Sequence, residues 1–168
     1  ARIAALEQQV AELTERQTLN TMADERIEVA IRERLSLEEM LATLFPLLAE
    51  HLGARVTFVR TYDETLTMSD HVWPEGQALG DTIETVSGAL PFHQQTEQGF
   101  VIAQRIDVAG QDFGVAGVVL PRAPQEERGR HVAGLLDVWC EELDNYLAAI
   151  AQARRKHQVT LAISDALK

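Results

Sequence analysis

Two strand-like runs lie between Phe100 and Pro121 and are separated by a short break that contains Gly110. Runs rich in β-branched and aromatic residues on either side of a glycine-containing turn predict a β-hairpin. The second run, Phe113–Leu120, is apolar at both sets of alternating positions, so it belongs in the middle of a sheet that is covered on both faces. Pro121 cannot donate to a β-ladder and marks the end of that strand.

A second hairpin is predicted earlier in the chain. Residues 56–62 have the two-residue period of a strand, with Val56, Phe58 and Tyr62 on one face. Asp63 and Glu64 supply a turn, and residues 66–73 return as the partner strand.

The segment between the two hairpins has a weaker pattern. Thr82–Val86 favours a strand, and Leu90–Gln98 favours either a short helix or an ordered loop. Because this segment precedes the central hairpin, it is a candidate lid over one face of the sheet.

Helix signals flank the predicted sheet on both sides. Ser36 and Glu39 have the spacing of a capping box, which starts a helix that ends at Gly53 and is bent by Pro46. After Pro124, helix-favouring residues continue to the end of the chain, with a broad apolar stripe formed by Val132, Leu135, Leu136, Trp139, Leu143, Tyr146, Leu147 and Ile150. The simplest interpretation is one long helix, and a break near His157 is the alternative.

Residues 1–34 contain neither glycine nor proline and favour helix throughout. Their apolar positions step by three and four residues, as in a coiled coil, but the same register meets Gln17, Asn20 and Asp24 before Ile27 and Ile31 restore it. This helix either pairs in parallel with a second copy or folds back on its own domain. For pairing, the predicted interface is Ile3, Leu6, Val10, Leu13, Leu143, Leu147 and Ile150. The predicted organisation is a linker helix at 1–34, a domain at 35–150 and a signalling helix at 151–168.

Composition narrows the class of protein. The net charge of -11 over 168 residues disfavours nucleic acid and anionic membranes as partners. No apolar segment approaches the roughly 20 residues needed to span a bilayer, and no signal peptide is present. A single cysteine, Cys140, excludes an intramolecular disulfide and favours a cytoplasmic location. Because the sequence starts at Ala1 rather than Met, we expect it to be part of a longer protein.

No residue pattern predicts catalysis. The sequence lacks a nucleophile elbow, a phosphate-binding glycine loop and a metal-binding histidine spacing, so neither catalytic residues nor a metal site nor a cofactor is predicted. Cys140 lies on the apolar C-terminal helix, where a buried and inert thiol is the expected state. His71 and His93 would form a shared metal or haem site only if the fold brought them together.

The order of these elements resembles that of a GAF domain. The resemblance rests on Leu52-Gly53-Ala54 at the end of the entering helix, on the strand from Val56 to Asp63, and on Gly114-Val115-Ala116-Gly117 in the central hairpin. The GAF family implies an α+β fold, in which an antiparallel sheet carries helices on one face and a small-molecule pocket, or its vestige, on the other.

The resemblance also implies a role. GAF domains are dimeric regulatory inputs of bacterial-type signalling proteins such as nucleotide cyclases, histidine kinases and phosphodiesterases, and they act on a C-terminal output domain. A pocket would be lined from the sheet face opposite the long helices and from the lid by Phe58, Arg60, Tyr62, His71, Trp73, Phe92, His93 and Phe100. Arg60 requires solvent or an anionic partner on an otherwise apolar strand face. A ligand-free dimerisation scaffold with a collapsed pocket and a small cytosolic enzyme are the alternatives.

Overall fold

The computed structural model describes residues 2–62, 67–108 and 111–167, with the backbone alone described at 108, 111–113, 151, 153–155 and 157. The described chain forms four helices and five strands: α1 (Arg2–Arg32), α2 (Leu37–Leu52), β1 (Val56–Tyr62), β2 (Met68–Trp73), α3 (Gly80–Ser87), β3 (Phe92–Thr96), β4 (Gly99–Val108), β5 (Gln111–Leu120) and α4 (Glu126–Ala166). The predicted α+β class is confirmed.

All five strands pair antiparallel in the order β2-β1-β5-β4-β3. The predicted central strand therefore does lie at the centre. Val115 and Val119 point to one face of β5, whereas Ala116, Val118 and Leu120 point to the other, and all are buried. Both faces of the sheet must consequently be covered, and they are covered by different elements.

We call the two sides the helix face and the α3 face. On the helix face, α1, α2 and α4 enclose the larger apolar core, which includes Leu44, Leu48, Trp139 and Tyr146. On the α3 face, the short helix α3 lies over β1, β5 and β4 with Ile83 and Val86 buried.

The predictions for the middle segment were wrong in type. Residues 82–86 form part of helix α3 rather than a strand, and residues 92–96 form strand β3 rather than a helix or loop. Leu79, Ile83 and Val86 step by four and three residues, which places all three on the sheet-facing side of a helix. This spacing outweighs the strand propensity of the β-branched residues in the same segment.

The connection from α1 to α2 is well defined. The amide of Leu35 donates to the carbonyl of Ala30 at 2.9 Å and that of Arg34 to Ile31 at 3.3 Å, which is a Schellman motif with Arg34 at φ 55. The predicted capping box is confirmed, since the amide of Glu39 donates to Ser36 Oγ at 3.1 Å and the amide of Ser36 to Glu39 Oε1 at 3.3 Å. Tyr146 Oη donates to the carbonyl of Leu35 at 2.7 Å, so this corner is attached to α4.

Helix α1 carries two apolar stripes on different sides. Leu19, Ala23, Ile27 and Ala30 are buried in the helix-face core, so this half folds back on its own domain. Ile3, Leu6, Val10 and Leu13, which we call the α1 seam, are 55 to 72% exposed. At 3.6 residues per turn the seam is centred about 125° around the helix from the buried stripe. The seam therefore faces away from the core to which α1 is attached.

Helix α4 is continuous from Glu126 to Ala166, so the predicted single helix is confirmed and the alternative break near His157 is not seen. None of the described helices is long and apolar enough to cross a membrane. The turn predicted at Asp63 and Glu64 and the break at Ala109 and Gly110 lie outside the described residues.

Arg34→Gly is expected to raise the free energy of unfolding by about 0.5 to 1 kcal/mol, because glycine adopts positive φ without the steric cost that a Cβ meets. Equilibrium urea denaturation measures this change. Arg32→Gly, in the last turn of the same helix, is the control and is expected to lower stability by about 0.5 to 1 kcal/mol. A loss of stability in Arg34→Gly would contradict the assignment of the motif.

Candidate functional site

The face on which the sequence places a pocket is built from alternate residues of β1. Val56, Phe58 and Arg60 point to the α3 face, whereas Thr57 and Val59 lie beneath the helices. Every one of these five side chains is buried. The candidate site is therefore defined by what occupies the space between β1 and α3.

Phe58 fills the middle of that space. In the sheet it stands opposite Gly117, which in turn is opposite Ala103. A Cβ built at Gly117 would lie 2.7 Å from Phe58 Cε1 and 2.9 Å from Ala103 Cβ, both closer than carbon atoms tolerate. Gly117 is thus required by the aromatic ring, which is fully buried across the glycine.

The remaining volume above the sheet is taken by the segment that was predicted to be a lid. Leu79, Ile83 and Val86 from α3, and Phe92 from β3, are buried against Phe58 and the valines of β5. Buried apolar side chains that pack closely leave little room for a ligand between them.

Arg60 closes one end of this packed face. Its side chain is 5% exposed, and Nε and Nη2 donate to the two oxygens of Asp70 at 2.7 and 3.1 Å, while Nη1 donates to Glu84 Oε2 at 2.7 Å. The hydrogen bond with Asp70 raises the pKa of Arg60 more than burial lowers it. Because both anionic partners come from the chain itself, the guanidinium is satisfied without a ligand, and it joins β1, β2 and α3.

The structure divides the eight predicted pocket residues between the two faces. Phe58, Arg60 and Phe92 contribute to the α3 face, and Tyr62 shares their side of β1. Trp73 and Phe100 instead pack against the helix-face core, and the strand register places His71 and His93 on that side as well. The eight residues therefore do not share one face of the sheet, because the alternation of β2, β3 and β4 turns four of them to the helix face.

His71 and His93 also lie far apart. They are in β2 and β3, which form opposite edges of the sheet. Four interstrand spacings separate these edges, or roughly 19 Å, too far for a shared metal ion. Among the described residues no group of three or more His, Cys, Asp or Glu has the geometry of a metal site.

A cleft of about 380 Å³ lies on the helix face beside His93, between α4 and strands β3 and β4. Phe100 and Ile102 border it from the sheet, and Arg130 and Asp137 from the helix. It is separate from the α3 face, so these residues do not extend the candidate site.

The single cysteine, Cys140, is held in an unreactive state in this fold. Cys140 is buried in the helix-face core, and desolvation, reinforced by Asp144, raises the pKa of its thiol. A thiol held in that state is a poor nucleophile and a poor metal ligand.

One cluster of charged side chains was not predicted from the sequence. Glu15 of α1 lies 3.0 Å from His131 Nε2, 3.7 Å from His51 Nδ1 and 3.9 Å from Arg128 Nη1, so one carboxylate meets groups of α2 and α4. The i, i+3 spacing of Arg128 and His131 indicates that the two side chains share one face of α4. Nothing local in the sequence places Glu15 beside them.

The predicted dimer interface is only partly at the surface. The α1 seam is exposed, whereas Leu143 is fully buried in its own chain and cannot reach a partner. Leu147 and Ile150 are half-buried against the same core. Leu143 was assigned to the dimer interface because it lies on the apolar stripe of α4, but that stripe packs in the helix-face core of its own chain.

No protein-family model matches the sequence, and a search of curated proteins finds no significant match. Among solved structures, the crystal structure of the A. Aeolicus nlh2 GAF domain in an inactive state aligns with a TM-score of 0.57 at 13% identity, over 82% of this chain and 98% of that one. The chain has the GAF fold.

Two further solved structures are more distant. The cyanobacteriochrome TePixJ GAF domain aligns at a TM-score of 0.47 and 15% identity over 66% of this chain and 91% of that one. The N-acylhomoserine lactone dependent LuxR family transcription factor CepR2 from Burkholderia cenocepacia aligns at 0.45 and 15%, over 77% and 99%. Identities this low concern the fold alone, so the function of this GAF fold is argued from its own residues.

Phe58→Ala is expected to lower the free energy of unfolding by about 3 to 5 kcal/mol, because a buried aromatic ring is replaced by a cavity. Thermal denaturation with and without benzene measures the result. Benzene is expected to raise the melting temperature of the variant and not that of the unaltered chain, since only the variant has a dry apolar cavity. A benzene response in the unaltered chain would show that the α3 face is already open.

Asp70→Asn is expected to lower the free energy of unfolding more than Glu84→Gln does. Asp70 holds Arg60 through two hydrogen bonds, and its loss is expected to cost about 1.5 to 3 kcal/mol. Glu84 is 69% exposed, and its contact is expected to be worth under about 1 kcal/mol. Urea denaturation of both variants gives the comparison. Equal losses would mean that α3 and β2 hold Arg60 equally.

Proposed function

We propose that the chain is a non-catalytic regulatory module with the GAF fold. In this proposal it pairs with a second copy through its flanking helices and relays the state of a ligand or partner to an output domain that follows it in the same cytoplasmic protein. The observation that carries the proposal is the arrangement of α1 and α4, which run in the same direction along the helix face.

The direction of the two helices follows from their contacts. Glu15 lies beside His131 near the start of α4. Leu35, just after α1, accepts from Tyr146, which lies about four turns further along α4. The two helices therefore lie parallel to each other. A displacement of α1 along or around its axis is passed to α4 through this shared contact.

The free parts of the two helices lie at opposite ends of that contact. The α1 seam precedes the buried stripe of α1, and α4 continues past the core to Ala166. In this last part Val159 and Ile163, four residues apart on one side of the helix, are 58 and 56% exposed. Exposed apolar stripes on parallel helices favour a parallel arrangement of two copies, in which each helix meets its own counterpart.

A second candidate is a scaffold that dimerises without sensing a small molecule. The packing of Phe58 against Gly117 favours it, because the space in which the GAF resemblance predicts a ligand is filled by the chain's own side chains. The two candidates share the pairing and differ in whether α3 opens for a ligand.

Native mass spectrometry of the freshly purified protein separates these candidates. A species of twice 18.7 kDa supports pairing, and additional mass retained on that species identifies a ligand and rules out the pure scaffold.

The paired state is expected to depend on the α1 seam. The double variant Leu6→Asp with Val10→Asp places two charges in the apolar contact and is expected to convert a dimer into a monomer in sedimentation velocity at micromolar concentration. The control is Ala4→Asp with Ala11→Asp, which adds the same charge on another exposed side of α1 and is expected to remain dimeric. A monomeric unaltered chain, or loss of the dimer in both variants, would contradict pairing through the seam.

A further inference from the structure

A buried acidic side chain of α4 faces α1. Glu142 is 6% exposed, although a carboxylate in water would normally be solvated, and it belongs to the stretch of α4 that packs in the helix-face core. Its Oε2 has no hydrogen-bond partner among the residues that the structure describes. Burial without a partner is costly for an ionised carboxylate, so the state of this group requires an explanation.

The charges that act on Glu142 are negative. Asp24 faces it from α1, and Glu141 is its neighbour on α4; within the described chain, the electrostatic influences identified on Glu142 are these two. The nearest cation in sequence to Asp24, Arg26, is directed to α2, where Nη1 donates to the carbonyl of Thr43 at 3.1 Å. Among the described residues, Glu142 Oε2 therefore has neither a salt bridge nor a neutral donor to compensate its burial.

A proton resolves the conflict. When Glu142 is protonated it carries no charge and its hydroxyl donates to the carboxylate of Asp24, so two facing acids become a hydrogen-bonded pair. Burial, followed by the charge of Asp24, raises the pKa of Glu142 to about 7, which agrees with a proton retained in the docked helices.

We propose that Glu142 and Asp24 form a proton-dependent latch between α4 and α1, in which protonated Glu142 donates a hydrogen bond to Asp24 and keeps α1 docked on the core. Loss of the proton leaves two carboxylates facing each other across the helix contact and weakens the docking of α1. The latch lies within one chain and does not depend on the proposed pairing.

The sign of the pH effect follows from linkage. Docking raises the pKa of Glu142 from 4.5 to about 7, so docking takes up a proton. Docking is therefore strongest below the lower value, weakens as the pH rises between the two values, and changes little above the higher one.

Other acids of α4 titrate nearby but face the sheet. Burial, with Asp107 of β4 and Glu141, raises the pKa of Asp144 to about 6. Burial also raises the pKa of Asp137, and this is opposed first by the charge of Arg16 on α1 and then by Gln104 of β4 and His93 of β3. These groups alter the stability of the whole domain, so a test of the latch must measure α1 separately from the sheet.

Hydrogen exchange measured by mass spectrometry supplies that separation. The protection of the α1 amides at 19–30, taken relative to those of β5, is expected to fall on the order of tenfold between about pH 5.5 and about pH 8. Glu142→Gln, which copies the neutral acid, is expected to remove most of this fall, and what remains comes from other α1 contacts such as that of Glu15 with His131. Glu141→Gln, at the exposed neighbouring position, is the control and is expected to retain the fall.

An α1 protection that is independent of pH in the unaltered chain, or that falls in Glu142→Gln as much as in the unaltered chain, overturns the latch. Asp24→Asn provides a second variant if Glu142→Gln does not fold. Its amide donates to ionised Glu142, so the α1 protection at high pH is expected to rise towards the low-pH value of the unaltered chain, and an unchanged fall would again overturn the proposal.

Discussion

The burial of β5 on both faces is the constraint on which the other elements depend. Val115 and Val119 on one side and Ala116, Val118 and Leu120 on the other leave no face of the central strand that tolerates water. Two layers are needed to cover such a strand. The long helices supply one layer, and the segment between the hairpins supplies the other, so α3 acts as a structural cover before any role in ligand binding is considered.

This constraint explains why the α3 face is filled. A strand with glycine at position 117 and alanine opposite it presents a shallow apolar surface, and the ring of Phe58 occupies that surface with α3 packed over it. Arg60 then closes the end of the layer with carboxylates from β2 and α3. Apolar packing around Phe58 thus closes the middle of the candidate site, and the ion pairs of Arg60 close its edge. A ligand would have to displace the apolar side chains or break the ion pairs.

Local patterns predicted most of the fold. The capping box at Ser36, the alternation in residues 56–62 and the stripe of α4 each report on one element. All three elements are present, although β1 is buried on both faces. The middle segment was misjudged because four of the five residues at 82–86 are β-branched, whereas the four- and three-residue steps from Leu79 to Ile83 and Val86 carried the helical signal. The site was less predictable, since the face occupied by His71 or Phe100 depends on strand register, and register depends on contacts distant in sequence. The pairing of Asp24 with Glu142 has the same origin, because the two residues are brought together only when α1 docks on α4.

The uninterrupted α4 has a mechanical consequence. Its glycines, Gly129 and Gly134, lie near its beginning, and the part from Leu135 to Ala166 contains neither glycine nor proline. A helix of 41 residues is about 60 Å long and bends little without such residues. A small tilt of α4 at the core would therefore produce a larger lateral displacement of its C-terminal end. A rotation of α4 about its own axis would reach that end unchanged, so the helix transmits motion as a rigid rod and does not act as a hinge.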